Sequence, residues 1–255
     1  MQSERMDRTV GERQKNSIFN PDVWAGRLAG NGKIGKYNNI TELSFWQFYF
    51  FRKFMKKYSK KEAIAVIQTS AKAYEDKLRS RQFLIAYKEG MDVSFSIIGF
   101  GAQHFKHFCG VSSKLSAVKF YENALEGRLS ENDISFNSNG TTFQKLNVLP
   151  ALSRMFYGNA LRGDFNRSGL MIDADYFVGQ IAVRIAVAFR RGSRYDYPVS
   201  LYCEDIRKIT ERTTKVLAIW RRNFGETDFV ENTYASSDVD PALLLSMFKE
   251  SCAEG

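Results

Sequence analysis

Histidine is the scarcest ionisable side chain in this 255-residue sequence, with His104 and His107 as its only two copies. Imidazole chemistry near neutral pH is therefore confined to the stretch Gln103 to Gly110, and no second imidazole site exists elsewhere. Cysteine is almost as rare. Cys109, Cys203 and Cys252 are odd in number and show no CxxC spacing, which argues against a disulfide framework or a four-cysteine zinc site, so free thiols are expected. No apolar run approaches the roughly 18 to 20 residues of a membrane span. The aromatic cluster Phe45 to Phe51 is too short for one, so no membrane partner is expected. The polar, charged N-terminus has neither an apolar core nor a small-residue cleavage site through Lys15, which makes a cytoplasmic location the default expectation. A GxxxxGK(S/T) phosphate loop, a kinase motif set and a Gly-x-Ser-x-Gly elbow are all missing, and so are internal repeats.

What is present supports one main core with added terminal segments. Hydrophobic residues make up 44% of the chain, and its length sits at the upper end for a single domain. Lys and Arg number 37 against 28 Asp and Glu, a formal charge of +9 that favours phosphate-rich partners or an anionic surface.

Taken in order, residues 1 to 40 carry Gly26, Gly30, Gly32 and Gly35 among Asn and Lys, the composition of a basic entry segment of loops. From Thr41 onward, Leu43, Trp46, Phe50 and Phe54, then Ile64, Ile67, Ala71, Tyr74 and Leu78, recur at helical spacing and predict two helices. Lys53, Lys56, Lys57, Lys60 and Lys61 form a basic cluster between them. Gln82 to Tyr87 and Met91 to Ile98 alternate around a turn at Gly90 and read as a β-hairpin. Ser112 to Glu126 and Phe143 to Leu161 read as helices, the second complicated by Pro150. Gly169 to Ala174, Ile181 to Arg190, Tyr197 to Tyr202 and Lys215 to Arg222 read as consecutive antiparallel strands, with a helical turn within Glu204 to Arg212. Pro241 to Cys252 closes the chain as a short amphipathic helix. The fold class expected is α+β, with N-terminal helices on a C-terminal antiparallel sheet of about four strands.

On a helix, His104 and His107 lie three residues apart on one face, a spacing that lets two imidazoles divide proton acceptance from proton donation. The run His104-Phe-x-His107-Phe-x-Gly110-Val111 is followed by Lys119-Phe120-Tyr121, Lys145-Leu146, Tyr197-Pro-Val-Ser200-Leu201 and Ile219-Trp-Arg-Arg222. In that order, over roughly Tyr74 to Arg222, these segments resemble the phage-associated nucleases of the Barnase/EndoU/colicin/RelE-like superfamily. The resemblance implies a metal-independent endoribonuclease without a cofactor, in which the RNA 2'-hydroxyl attacks the adjacent phosphate and leaves a cyclic phosphate. His104 and His107 match the paired histidines, for acid/base work or phosphate binding, and Ser200 matches the strand serine. Lys114, Lys145, Arg184 and Lys208 become candidate phosphate ligands because each lies near a matched segment. Ser112 and Ser113 separate Val111 from Lys114, a departure from the pattern expected of relatives.

The implied partners are RNA and an inhibitor or antitoxin protein restraining a toxin or phage-conflict effector. The expected organisation is an N-terminal basic and aromatic extension over 1–58, a nuclease domain over 59–225 and an acidic tail with a short helix over 226–255. Two other readings compete. One is a zinc or iron site built from His104, His107 and Cys109 with Asp173 or Asp175. The other is a non-catalytic nucleic-acid-binding module using Tyr176, Phe177, Tyr195 and Tyr197.

Overall fold

The computed structural model describes residues 56–166, 170 and 172–253. Its first element, helix α1 (Lys60–Lys77), starts where side chains satisfy its end: the Ser59 hydroxyl accepts the Glu62 N–H and the Glu62 carboxylate accepts the Ser59 N–H. Ile64, Ile67, Ala71 and Tyr74 are buried, as their spacing predicts. The first of the two helices read from Thr41, and most of the 1–58 extension, lie outside the described residues.

Strands β1 (Arg81–Glu89) and β2 (Asp92–Gly99) form the expected hairpin, in unbroken register from Gln82↔Gly99 to Glu89↔Asp92. Gly90 takes the turn with φ of 65°, a conformation glycine adopts without steric cost. Three helices follow, α2 (Ala102–Cys109), α3 (Ala117–Leu125) and α4 (Thr141–Leu152), with the short pair β3 (Val111–Ser112) and β4 (Ser135–Phe136) between them. The second half of the chain supplies β5 (Leu161–Phe165), β6 (Tyr176–Gln180), β7 (Ile185–Arg190), β8 (Tyr197–Tyr202), β9 (Thr210–Asn223) and β10 (Glu231–Ala235), then helix α5 (Pro241–Ala253).

The strands join in the order β2-β1-β9-β5-β6-β7-β8, with β10 also paired to β9, in one curled, eight-stranded antiparallel sheet. The 14-residue β9 is its spine, with its first half on β5 and its second half on β1. The sheet's outer strands meet just before β8. There Asp196 accepts the Gly99 N–H at 2.9 Å and donates its own N–H to Ile97 at 2.7 Å. On one face, Phe83, Phe100, Phe105, Phe108, Phe156 and Phe189 pack between the sheet and helices α1 to α4. On the other, α5 covers Leu84, Trp220 and Phe229, while the turn Ile206–Lys208 covers Phe165 and Phe177.

The structure corrects the expected layout in several places. The sheet has eight strands rather than about four, because β1 pairs with the distant β9 and fuses the early hairpin with the late meander. β5 and β10 carry polar sequences, Leu-Arg-Gly-Asp-Phe and Glu-Asn-Thr-Tyr-Ala, which show no apolar alternation. The helices are not an N-terminal block, since α2 to α4 follow the hairpin and α5 ends the described chain. The run read as a strand over 169–174 has its described residues in coil, and the strand begins at Tyr176. Among the described residues, no helix is long and apolar enough to cross a membrane.

The docking of α5 makes a testable distinction between neighbours. Leu244 is 6% exposed against the Trp220 cluster, whereas Leu243 is 60% exposed. Leu244→Ala is expected to lower stability to urea by about 2–4 kcal/mol, and Leu243→Ala by less than about 0.5 kcal/mol. Equal losses would show that this face is not buried as described.

Candidate active site

The site forms where α2, α4 and β8 converge. Helix α2 opens at Gly101, whose N–H donates to His104 Nδ1 at 3.0 Å, while the Tyr74 hydroxyl on α1 donates to the Gly101 carbonyl at 2.9 Å. Because Nδ1 is an acceptor there, the neutral imidazole carries its proton on Nε2. The Gln103 side-chain amide lies 3.3 Å from that nitrogen, and with the ring proton there the amide's oxygen end is the matching partner. The His104 ring also lies nearly parallel to Tyr197 of β8, with centroids 6.3 Å apart. Burial is the main force that lowers the His104 pKa to about 4, and His107 adds to it.

His107, one turn on, is exposed. Desolvation by its packed neighbours, then the cations Lys145 and Lys106, hold it below the ordinary imidazole range. Two residues of one type thus receive different environments from a single helix.

Lys145 reaches in from α4. Its Nζ donates to the His107 carbonyl at 2.8 Å and to Ser200 Oγ on β8 at 2.9 Å. Burial lowers its pKa to about 8, with Cys109 acting weakly in the opposite direction. Gly110, the residue that ends α2, permits this arrangement in two ways. Its φ of 64° is left-handed, and a Cβ there would sit 2.7 Å from Lys145 Cδ. The Gly110 carbonyl in turn accepts from Asn137 Nδ2 at 2.9 Å and from the buried Thr142 hydroxyl, which ties the end of α2 to the start of α4. Lys106 donates to the carbonyls of Ser113 and Leu115 at 2.9 and 2.6 Å and so pins the loop that carries Lys114.

Of the residues singled out in the sequence, His104, His107, Lys145 and Ser200 share this site. Lys114 is exposed on the loop beyond β3. Arg184 and Lys208 belong to a separate cluster, where both approach Glu204, at 2.7 and 3.9 Å. Glu204 follows Ser200 by four residues, roughly 13 Å at the rise of an extended chain. The alternative metal set is not assembled. Cys109 is fully buried with its thiol donated to the Phe105 carbonyl, Asp173 pairs with Arg190, and Asp175 accepts the Arg191 N–H. Among the described residues, no group of three or more His, Cys, Asp or Glu is placed to hold a metal ion. Tyr176 and Phe177 are core residues at 0% exposure, so they cannot supply the surface contacts of a binding module.

Sequence reasoning missed Gln103, Asn137 and Thr142 as members of the network. None of the three belongs to a recognisable spacing, and their roles depend on which loop folds against which. A cleft of about 750 Å³ also opens between the ends of β1, β9 and β10, lined by Arg81, Arg221, Arg222, Glu226, Asp228 and Glu231. Its three arginines face three carboxylates, with Arg221 paired to Glu231 at 2.5 Å, while Arg222 donates to the neutral Gln82 amide oxygen at 2.9 Å.

With only two histidines in the chain, NMR titration of the imidazole C–H signals resolves both. One signal is expected to titrate near 4 and the other below the unperturbed 6.5. Lys145→Met removes a cation that opposes protonation of His107, so the His107 signal should move up. Two ordinary titrations in the wild type would contradict the environments described.

The model of one protein family, described as phage-Barnase-EndoU-ColicinE5/D-RelE like nuclease4, matches residues 66–237. No curated protein and no solved structure matches the chain. The matched span runs from within α1 through β10 and contains His104, His107, Lys145 and Ser200 together with the sheet that positions them. The chain belongs to the phage-Barnase-EndoU-ColicinE5/D-RelE like nuclease4 family and is thereby a nuclease-family protein acting on nucleic acid.

Proposed function

We propose that this protein is an endoribonuclease that cuts RNA by attack of a 2'-hydroxyl on the adjacent phosphate, without a metal ion. The observation that carries the reading is the meeting of His104, His107, Lys145 and Ser200 at the junction of α2, α4 and β8. Transesterification makes few demands of a protein: a base for the 2'-hydroxyl, an acid for the departing 5'-oxygen, and donors for the charge that develops on phosphorus. The nucleophile comes with the substrate.

The environments divide these tasks. His107 is exposed and held below its ordinary pKa, so at pH 7 it is neutral and able to take the 2'-hydroxyl proton. His104, lowered to about 4 with Nδ1 already bonded to Gly101, stays neutral, and its Nε2–H exchanges the Gln103 amide for a non-bridging phosphate oxygen when substrate binds. Lys145 is mostly protonated at pH 7 but poised near 8. It supports the phosphorane charge and passes a proton to the leaving 5'-oxygen. Ser200, already held by Lys145, supplies a hydroxyl donor rather than a nucleophile. The products are a 2',3'-cyclic phosphate and a 5'-hydroxyl.

An unrestrained ribonuclease would damage the RNA of its own cell. We therefore place the protein as a toxin or phage-conflict effector held in check by an inhibitor protein, with the N-terminal extension as a delivery or partner segment. Expression of the chain alone is expected to arrest growth, and unimpeded growth alongside active purified protein would count against that role.

Purified protein incubated with RNA in excess EDTA is expected to yield fragments with cyclic phosphate ends. DNA of the same sequence should remain intact, and His104→Ala/His107→Ala should not cut. Cutting only after a divalent metal is restored would sink the mechanism. The pH profile carries a sign. Activity requires neutral His107 and protonated Lys145, so kcat/KM should rise with pH through the lowered His107 pKa and fall through about 8. Lys145→Arg keeps its charge across this range, so its alkaline limb should disappear even though its rate is lower.

A further inference from the structure

We propose that the turn between β7 and β8, together with the end of β9, forms a track for single-stranded nucleic acid leading away from His104. The track has two components, a line of aromatic rings and a pair of arginines.

The rings come first. Asp196 directs its carboxylate to the buried Tyr176 hydroxyl, 2.6 Å away, and is flanked in sequence by Tyr195, in the bend before β8, and Tyr197, the first residue of β8. Both are half-buried. Tyr197 lies along His104, and Tyr195 packs edge-on against Phe224, with centroids 5.4 Å apart. Phe224 is itself 41% exposed, at the end of the long central strand. What seats the last two rings is an absence: a Cβ on Gly99 would lie 2.6 Å from Tyr195 Cδ2 and 3.0 Å from Phe224 Cζ. Tyr197 thus lies at the acid/base site, and the Tyr195–Phe224 pair begins two residues away, at most roughly 7 Å along the chain. Unstacked bases bind such rings irrespective of sequence.

The arginines flank these rings. Arg191 and Arg194 are exposed and form no ion pair among the described residues. Their turn is anchored by two carboxylates that accept its backbone N–H groups. Asp175 accepts the Arg191 N–H at 2.7 Å, and Asp196 accepts the Gly192 N–H at 3.3 Å while its backbone pairs with β2. Arg194 is three residues from Tyr197, at most roughly 11 Å along the chain, so its guanidinium is within reach of a phosphate next to one lying at His104. Guanidinium is suited to phosphate by its planar array of donors. Phosphates on Arg191 and Arg194, with bases on Tyr195 and Phe224, define a single strand as the ligand, since bases within a duplex are unavailable for such stacking.

This inference rests on the ribonuclease reading for the position of the scissile phosphate, and the test separates the two. The probe is a fluorescent single strand of about ten nucleotides, of the order of the site sizes known for such proteins, with 2'-O-methyl riboses that cannot attack the phosphate. Its binding to the full chain is followed by anisotropy across a salt series. Arg191→Ala/Arg194→Ala should lower the slope of log affinity against log salt by about 1.4 and weaken binding roughly 10- to 30-fold at about 0.1 M salt. Tyr195→Ala should weaken binding roughly 5-fold or more with the slope unchanged, and Tyr195→Phe should restore it. A wild-type slope in the arginine variant would overturn the track. So would an equal loss in the distant charge control Lys72→Ala/Lys88→Ala, or no binding by the wild type. Unmodified RNA of the same sequence is assayed for cutting in parallel. If the binding results hold while that RNA stays whole, the track stands and the ribonuclease reading falls.

Discussion

The site depends on a half-buried ammonium group that must find acceptors. Withdrawing a lysine from water is costly unless its protons are satisfied, and Lys145 satisfies two of them with the His107 carbonyl at the end of α2 and the Ser200 hydroxyl on β8. The first of these partners carries the negative end of a helix dipole. By reaching both, one side chain from α4 fixes the distance between a helix and a sheet edge that are remote in sequence. Gly110 is what makes room, and the Asn137 and Thr142 bonds to its carbonyl hold α4 in the position from which Lys145 can reach.

The same ammonium also tunes its surroundings. It adds to the desolvation that holds His107 below its ordinary pKa, while its own burial brings it to about 8. The base and acid roles proposed for His107 and Lys145 therefore draw on one electrostatic arrangement. His104 is removed from that pair by geometry, because its Nδ1 is occupied by the cap of its own helix. A histidine pair that looks symmetrical in the sequence is thus asymmetrical in the fold.

Some of this was legible in the residues. The hairpin around Gly90, the strand Tyr197 to Tyr202, the helix face of Ile64 to Tyr74 and the C-terminal helix followed from local periodicity and turn chemistry. His104 and His107 were singled out by their spacing, Ser200 by the resemblance and Lys145 by lying near a matched segment, and the fold brings the four together. Arg184 and Lys208 were singled out on nearness in sequence alone, and Glu204 draws them elsewhere. β5 and β10 were illegible because polar residues such as Arg162, Asp164 and Asn232 interrupt any apolar alternation, and pairing with neighbouring strands sets their place.

What the sequence by itself determined is local: where helices start and end, where turns require glycine, and that imidazole chemistry is confined to one eight-residue stretch. The tertiary structure alone decided that β9 unites two separately read groups of strands, that Lys145 lies between His107 and Ser200, and that Tyr197 meets His104 while Tyr195 meets Phe224. The physical reason is range. Caps, turns and amphipathic spacing are satisfied within a few residues, whereas strand order and the burial of a charge are settled among groups separated by tens of residues, and no local pattern records which of them will meet.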